Sequence, residues 1–180
     1  MTDMTKTSHR SRTILILFGG FILLFIVVAI ILTQRAVYAA PDQPIDFSHK
    51  KHDEAGVQCL FCHPNVIRSD LAGIPSVERC VGCHEVIATD SEEVQKILGY
   101  WERQEPIPWE QVVEMADHVF FSHSPHYSGG VSCETCHGPV GNMETTHAVL
   151  NMDMGWCLDC HINQPEERSA WLSDCLLCHE

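Results

Sequence analysis

The sequence predicts one N-terminal membrane-spanning helix followed by a mainly irregular and α-helical domain with little sheet. Three observations carry that expectation. Residues 14–32 form a 19-residue run without a charge or a strongly polar group. Residues 41–180 hold 23 of the 24 acidic residues of a 180-residue chain. Within that acidic part Cys-x-x-Cys-His is written five times, and the five units use all 10 cysteines.

The first element is the anchor. At about 1.5 Å per residue, a helix over residues 14–32 is about 28 Å long, enough to cross a bilayer core. Lys6, Arg10 and Arg12 precede it and only Arg35 follows closely. That asymmetry places the N-terminus in the cytoplasm and residues 41–180 outside. Val37-Tyr38-Ala39 has the small-x-small pattern of a leader cleavage site. The apolar run exceeds the usual signal core, so a retained anchor is expected. Gly19-Gly20 offers a patch where another helix could approach closely, although such a pair is more often merely tolerated.

Charge divides the chain at the same place. Residues 1–40 carry a net charge of +3 and residues 41–180 a net charge of −16. An acidic external domain excludes nucleic acid and anionic lipid as partners and suits a partner with a basic patch. Solubility alone would also account for the acid.

The five units are Cys59-Cys62-His63, Cys80-Cys83-His84, Cys133-Cys136-His137, Cys157-Cys160-His161 and Cys175-Cys178-His179. Cys-x-x-Cys-His is the attachment sequence of c-type haem. Its two thiols add to the porphyrin vinyl groups, and its imidazole binds the iron from the proximal side. A zinc knuckle or a thiol–disulfide pair needs no histidine directly after the second cysteine, and five units do not pair evenly as zinc ribbons do. Five covalently bound haems c are expected, at about 28 residues per haem. So small a domain has little room for an ordinary apolar core, so the porphyrins must supply it and apo-protein should not fold.

An internal repeat organises the external domain. Residues 47–63 and 121–137, set 74 apart, match at nine of 17 positions, including Gly56/Gly130 and Val57/Val131. A second motif follows 21 residues on in the first half and 24 in the second. Two two-haem modules, about 45–90 and 118–163, and a fifth haem in 164–180 are expected. Residues 91–117 between them predict linker helices. Residues 92–105 follow Asp90-Ser91, carry acids in the first turn, and place Val94, Ile97, Leu98 and Trp101 on one face. Pro106 and Pro108 stop that helix, and a shorter one is expected over 109–116.

Each haem iron needs a second, distal ligand. With the motif histidines and His9 set aside, His49, His52, His118, His123, His126 and His147 remain. His49, His52, His123 and His126 occupy repeat positions. A three-residue spacing sets both rings on one side of a helical turn, each able to serve a different haem. His49 is expected to serve the haem of His63 and His123 that of His137, while His52 and His126 reach haems elsewhere. His147 is favoured over His118 as the fifth. Methionine competes, through Met143, Met152 or Met154, and would raise that haem's potential. Met154 lies three residues before Cys157 and suits packing on its ring as well. Ligands meet or exceed vacancies, whereas haem enzymes that bind substrate keep one position open. The expectation is a relay of single electrons through closed, low-spin haems, with no catalytic residue on the chain itself.

The motif order resembles the pentahaem membrane-anchored subunit of alternative complex III, a bacterial quinol-oxidising complex. The matching residues are Phe47-Ser48-His49-Lys50-x-His52, Ala72-Gly73-Ile74-Pro75, Pro106-Ile107-Pro108-Trp109, Phe121-Ser122-His123-Ser124-x-His126 and Met154-Gly155-Trp156-Cys157-Leu158-Asp159-Cys160-His161. The resemblance implies a place in the bacterial cytoplasmic (inner) membrane, with the haem domain on the periplasmic side. It implies electrons from menaquinol, oxidised at a neighbouring subunit, arriving through an iron–sulfur subunit. They would leave to a monohaem cytochrome c, a blue-copper protein or a terminal oxidase. The alternative is a self-contained membrane-anchored quinol dehydrogenase of the NapC/NrfH/TorC type, similar in layout. That group carries Cys-x-x-Cys-His-x-x-Met at its quinol-facing haem, where this chain has Val66, Ile87, Val140 and Gln164 after its first four motifs.

Overall fold

A computed structural model describes residues 3–37 and 39–179, and the chain divides into two compact units, Met1–Ala39 and Ala40–Glu180. Among the described residues every regular element is helical.

The first unit is one helix, α1 (Asp3–Val37). Its segment Ile14–Thr33 has a mean hydropathy of 3.3, and none of it is buried against protein. Apolar side chains such as Leu15, Phe18, Phe21 and Phe25 stand exposed around the helix. A helix apolar on all sides requires lipid or other protein around it. Tyr38 of the cleavage-like triplet, and the side chains of Lys6, Arg10 and Arg35, lie outside the described residues.

The second unit strings short helices between loops: α2 (His49–Glu54), α3 (Cys59–Cys62), α4 (Val77–His84), α5 (Glu92–Glu102), α6 (His123–Ser128), α7 (Cys133–His137), α8 (Met154–Ile162) and α9 (Glu166–Leu172). Single 3-10 turns follow α3 (Pro64–Ile67), α7 (Val140–Asn142) and α9 (Cys175–Leu177). Ser48 caps α2 by accepting from the Lys51 N–H, and Asp153 caps α8 by accepting from the Trp156 N–H. Each repeat helix ends alike. Val57 N–H reaches the His52 carbonyl at 2.9 Å, and Val131 N–H reaches the His126 carbonyl at 3.1 Å. That reversal needs a left-handed residue, supplied by Gly56 (φ 80°) and Gly130 (φ 77°). It explains why the repeat matches at this Gly-Val pair: the turn leads the chain from the distal histidines into the following Cys-x-x-Cys-His.

The apolar core is small. α4 packs on α5, and Ile45, Val77, Val81, Ile97 and Ile107 form its centre, with Leu98, Tyr100 and Trp109 against it. The face expected on α5 holds for Val94 and Ile97, which are buried, whereas Trp101 stays 37% exposed. The shorter helix expected over 109–116 does not form; that stretch is loop. Proline on both sides of buried Ile107 favours extended backbone, and Gln43 clamps Glu110 by donating to its carbonyl at 2.9 Å and accepting from its N–H at 3.0 Å.

Outside that core, apolar groups such as Phe61, Leu71, Ile74, Phe120, Trp171 and Leu176 are exposed. A unit of this size ordinarily buries far more. The two halves interlock through their repeat helices. α2 docks on the turn after α7, where Lys50 N–H donates to the Met143 carbonyl and Ser48 Oγ donates to Glu144 Oε2 at 2.7 Å. α6 docks on the turn after α3, where His123 N–H donates to the Asp70 carbonyl.

Candidate haem ligand pairs

Each Cys-x-x-Cys-His begins or lies within a helical turn. In the first and fifth units the histidine N–H closes onto the first cysteine's carbonyl, His63 to Cys59 at 2.9 Å and His179 to Cys175 at 3.0 Å. One turn therefore carries both thiols and the imidazole on adjoining positions of one side. All ten cysteines are free and at least partly exposed. Burial raises the Cys62, Cys80, Cys136 and Cys157 thiols above their ordinary range. Such thiols lack the lowered pKa of a reactive dithiol centre.

Four motif imidazoles face a second imidazole. His52 and His84 stand 6.0 Å apart by ring centroids, His123 and His137 6.4 Å, His126 and His161 6.0 Å, and His118 and His179 5.5 Å. The remaining motif histidine, His63, acts electrostatically on His49, whose pKa is pushed down to about 4 by burial first, then by His63 and His52. Two imidazoles bound to one metal atom through about 2.0 Å bonds have centroids about 6 Å apart.

The rings are held with one nitrogen bare. Nδ1 donates to a backbone carbonyl in His52 (Ser48), His63 (Gly73), His84 (Ile87), His123 (Asp70), His126 (Ser122), His161 (Leu172) and His179 (His118), at 2.6–3.1 Å. His49 Nδ1 meets Thr146 Oγ1 at 2.8 Å. A carbonyl can only accept, so Nδ1 carries a proton, and in the neutral ring Nε2 is then the nitrogen that keeps its lone pair. This is the tautomer a metal-binding histidine adopts, with its other nitrogen bonded to a carbonyl. Phe47 lies against both His49 and His52, and Phe121 against both His123 and His126, all with centroids under 5 Å apart.

The sequence favours His147 for the fifth position, but the ring facing His179 is that of His118. His147 bonds the Thr145 carbonyl through Nδ1, and no described ring pairs with it. Neither residue has a histidine counterpart in the first module, where position 44 is Pro44 and position 73 is Gly73, so the repeat could not rank them. Tertiary packing separates them: Phe120 N–H bonds the Cys178 carbonyl at 2.8 Å, folding the C-terminal turn onto residues 118–120. Met154 is 63% exposed, and Met143 is buried beside α2. The carbonyls that orient the rings, such as Gly73, Asp70 and Leu172, are backbone atoms and leave no residue-type signal.

Among the described residues no three His, Cys, Asp or Glu side chains converge to hold a metal ion. A structural zinc site needs four such donors. Facing imidazoles without further protein donors suit a metal whose equatorial ligands come from a macrocycle. Haem c meets that description, and the thiols beside the rings and the exposed apolar groups suit its covalent attachment and its faces.

Comparison with known proteins agrees. Residues 51–139 match the cytochrome c3 family, and residues 119–180 match cytochrome c7 and related cytochrome c. A menaquinone reductase multiheme cytochrome c subunit of Nitratidesulfovibrio vulgaris is 30% identical over 167 residues, covering 80% of each chain. The chain belongs to the multihaem c-type cytochromes. Its function is accordingly electron transfer, and its mostly helical, strand-poor architecture suits that class.

Proposed function

We propose that the cytochrome carries five haems c, each held between two imidazoles, and relays electrons between a membrane menaquinone site on another subunit and a partner outside the membrane. The axial pairs are His63 with His49, His84 with His52, His137 with His123, His161 with His126 and His179 with His118. The observation that carries the reading is that pairing: four motif histidines each face their own second imidazole, and the fifth, His63, acts electrostatically on His49. Each haem, when bound, supplies a one-electron ferric/ferrous couple. The chain's part is to space the couples, close both axial positions and keep small ligands out.

The order of sites does not follow the sequence. α2 supplies His49 and His52 and so joins the first and second sites; α6 supplies His123 and His126 and joins the third and fourth. The bonds from His123 to Asp70, with His63 acting on His137, support placing the first site beside the third. Cys178 acting on Cys157, and Phe120 bonding Cys178, support placing the fifth beside the fourth. The proposed row is His84, His63, His137, His161, His179.

The likeness to the pentahaem subunit of alternative complex III supports electrons arriving from menaquinol through an iron–sulfur subunit and leaving to a cytochrome c, blue-copper protein or oxidase. A second reading rests on the relative's name. A menaquinone reductase runs the other way, from an external donor into the quinone pool. Both use the same relay and a multi-subunit complex in the bacterial cytoplasmic membrane, held in part by α1.

Mild detergent extraction, with the haem count per chain and the co-purifying subunits identified, tests the proposal. Five haems and an iron–sulfur partner are expected. Reduction of the intact complex by a menaquinol analogue, against its reduction by an external cytochrome, decides the direction. Haem reduction by menaquinol with the chain alone would replace the proposal with the self-contained dehydrogenase.

A further inference from the structure

The two modules place their distal rings alike and their proximal rings differently. His52 Nδ1 bonds the Ser48 carbonyl at 2.8 Å, as His126 Nδ1 bonds the Ser122 carbonyl at 2.7 Å. Phe47 lies at 28° to the His52 ring, and Phe121 at 32° to the His126 ring. Yet His52 and His84 cross at 71°, whereas His126 and His161 lie within 23° of parallel. The other measured pairs are also near parallel, at 5° for His123 with His137 and 16° for His118 with His179.

The difference therefore arises on the proximal side. His161 Nδ1 is drawn to the Leu172 carbonyl, 11 residues on at the end of α9. His84 Nδ1 is drawn to the Ile87 carbonyl, only three residues on, at 3.0 Å. A short turn aims that carbonyl. Ile87 N–H closes on the Cys83 carbonyl, and the next residue, Ala88, sits at φ 56°, a left-handed conformation that alanine rarely adopts. Ser91 N–H bonds the Ala88 carbonyl and completes the reversal.

We infer that Ala88 is a positioning residue that turns the His84 ring across the His52 ring, making the second site of the relay electronically unlike the parallel sites. The inference rests on the proposed axial pairs. The filled π orbital of an imidazole stands normal to its ring and raises the iron d orbital it overlaps. Parallel rings raise the same orbital, split the pair and give a rhombic ferric spectrum. Crossed rings raise one orbital each, leave the pair nearly degenerate and give a single, strongly anisotropic low-field feature. Ring orientation is thus a protein-set lever on the haem, separate from ligand identity. Because this site lies at one end of the proposed row, the feature would report its redox state separately from the near-parallel sites.

The test is low-temperature EPR of the oxidised, haem-loaded full-length chain in detergent. Rhombic low-spin signals are expected together with a strongly anisotropic one. His52→Met, which changes the axial ligand of the second site alone, should abolish or displace an anisotropic feature and leave the rhombic signals. Ala88→Gly, which suits a positive φ, should keep the wild-type spectrum. Ala88→Val, which opposes it, should move intensity from the anisotropic feature to the rhombic set at unchanged haem content. A wild-type spectrum with rhombic signals only would overturn the inference, as would an anisotropic feature indifferent to His52→Met. An Ala88→Val protein loaded with haem and spectrally unchanged would remove Ala88 from the role. If Ala88→Val does not load, His52→Met and the wild-type spectrum decide. Absence of low-spin ferric haem altogether would instead defeat the proposed axial pairs.

Discussion

Removal of His118 gives the sharpest test of the fifth site. Its ring lies 5.5 Å from that of His179 and only 16° from parallel, and no second described ring faces His179. Alanine withdraws the whole imidazole, so under the proposed pairing the distal position opposite His179 should open. The local fold should survive, because its ties are backbone bonds. Phe120 N–H still reaches the Cys178 carbonyl at 2.8 Å, and His179 Nδ1 still reaches the carbonyl of position 118 at 3.1 Å. Each such bond contributes about 0.5–1.5 kcal/mol and needs no side chain at position 118. Carbon monoxide, which binds only an iron with an open position, supplies the assay. The reduced wild-type protein should take up essentially none, and His118→Ala about one per chain. His147→Ala should take up none. His118→Met should close the position again and raise that haem's potential relative to the wild type. Uptake by His147→Ala with none by His118→Ala would refute the assignment of the fifth site.

Other consequences are equally direct. Gly56→Ala and Gly130→Ala each force alanine into a left-handed turn and should lower stability by about 1–2 kcal/mol, read from denaturant midpoints followed by haem absorbance. Ile45, 2% exposed at the centre of a small core, should cost about 2–5 kcal/mol as Ile45→Ala in the same assay. Glu144 is held below the usual carboxylate range by the Ser48 hydroxyl first and then by Lys50. Its docking of α2 should be complete above the ordinary carboxylate pKa and fade as pH falls through the lowered value. Amide exchange at Lys50 should show that acid loosening, and Glu144→Gln should lose the pH dependence. Alkaline carbonate washing should leave the protein in the membrane fraction if α1 is retained as an anchor; release of a shortened chain would identify it as a leader.

The amino-acid sequence displayed the chemistry because that chemistry depends on residue type and short spacing. Cysteines three apart with a histidine next must share a turn, whatever surrounds them. The repeat exposed His49, His52, His123 and His126 for the same reason: one helical turn carries each pair and a glycine must end it. The linker was less legible. Trp101 completes an apolar face by periodicity, but the core is too small to cover it. Residues 109–116 have helix-compatible composition, yet buried Ile107, the tight turn from Trp109 N–H to its carbonyl and the Gln43–Glu110 clamp hold the start of that stretch out of a helix.

Spacing along the chain thus determined the class of cofactor, the motif histidines and one long apolar helix, since covalent reach and helical periodicity are local. Only the tertiary structure decided that His118 and not His147 faces His179, and that His84 lies across His52 while His161 lies nearly parallel to His126. It also docked α6, which leads into the third motif, on the turn that follows the first. Those outcomes depend on backbone carbonyls: those of Leu172 and Asp70 are brought to their rings by how separate segments pack, and that of Ile87 is aimed by the turn at Ala88.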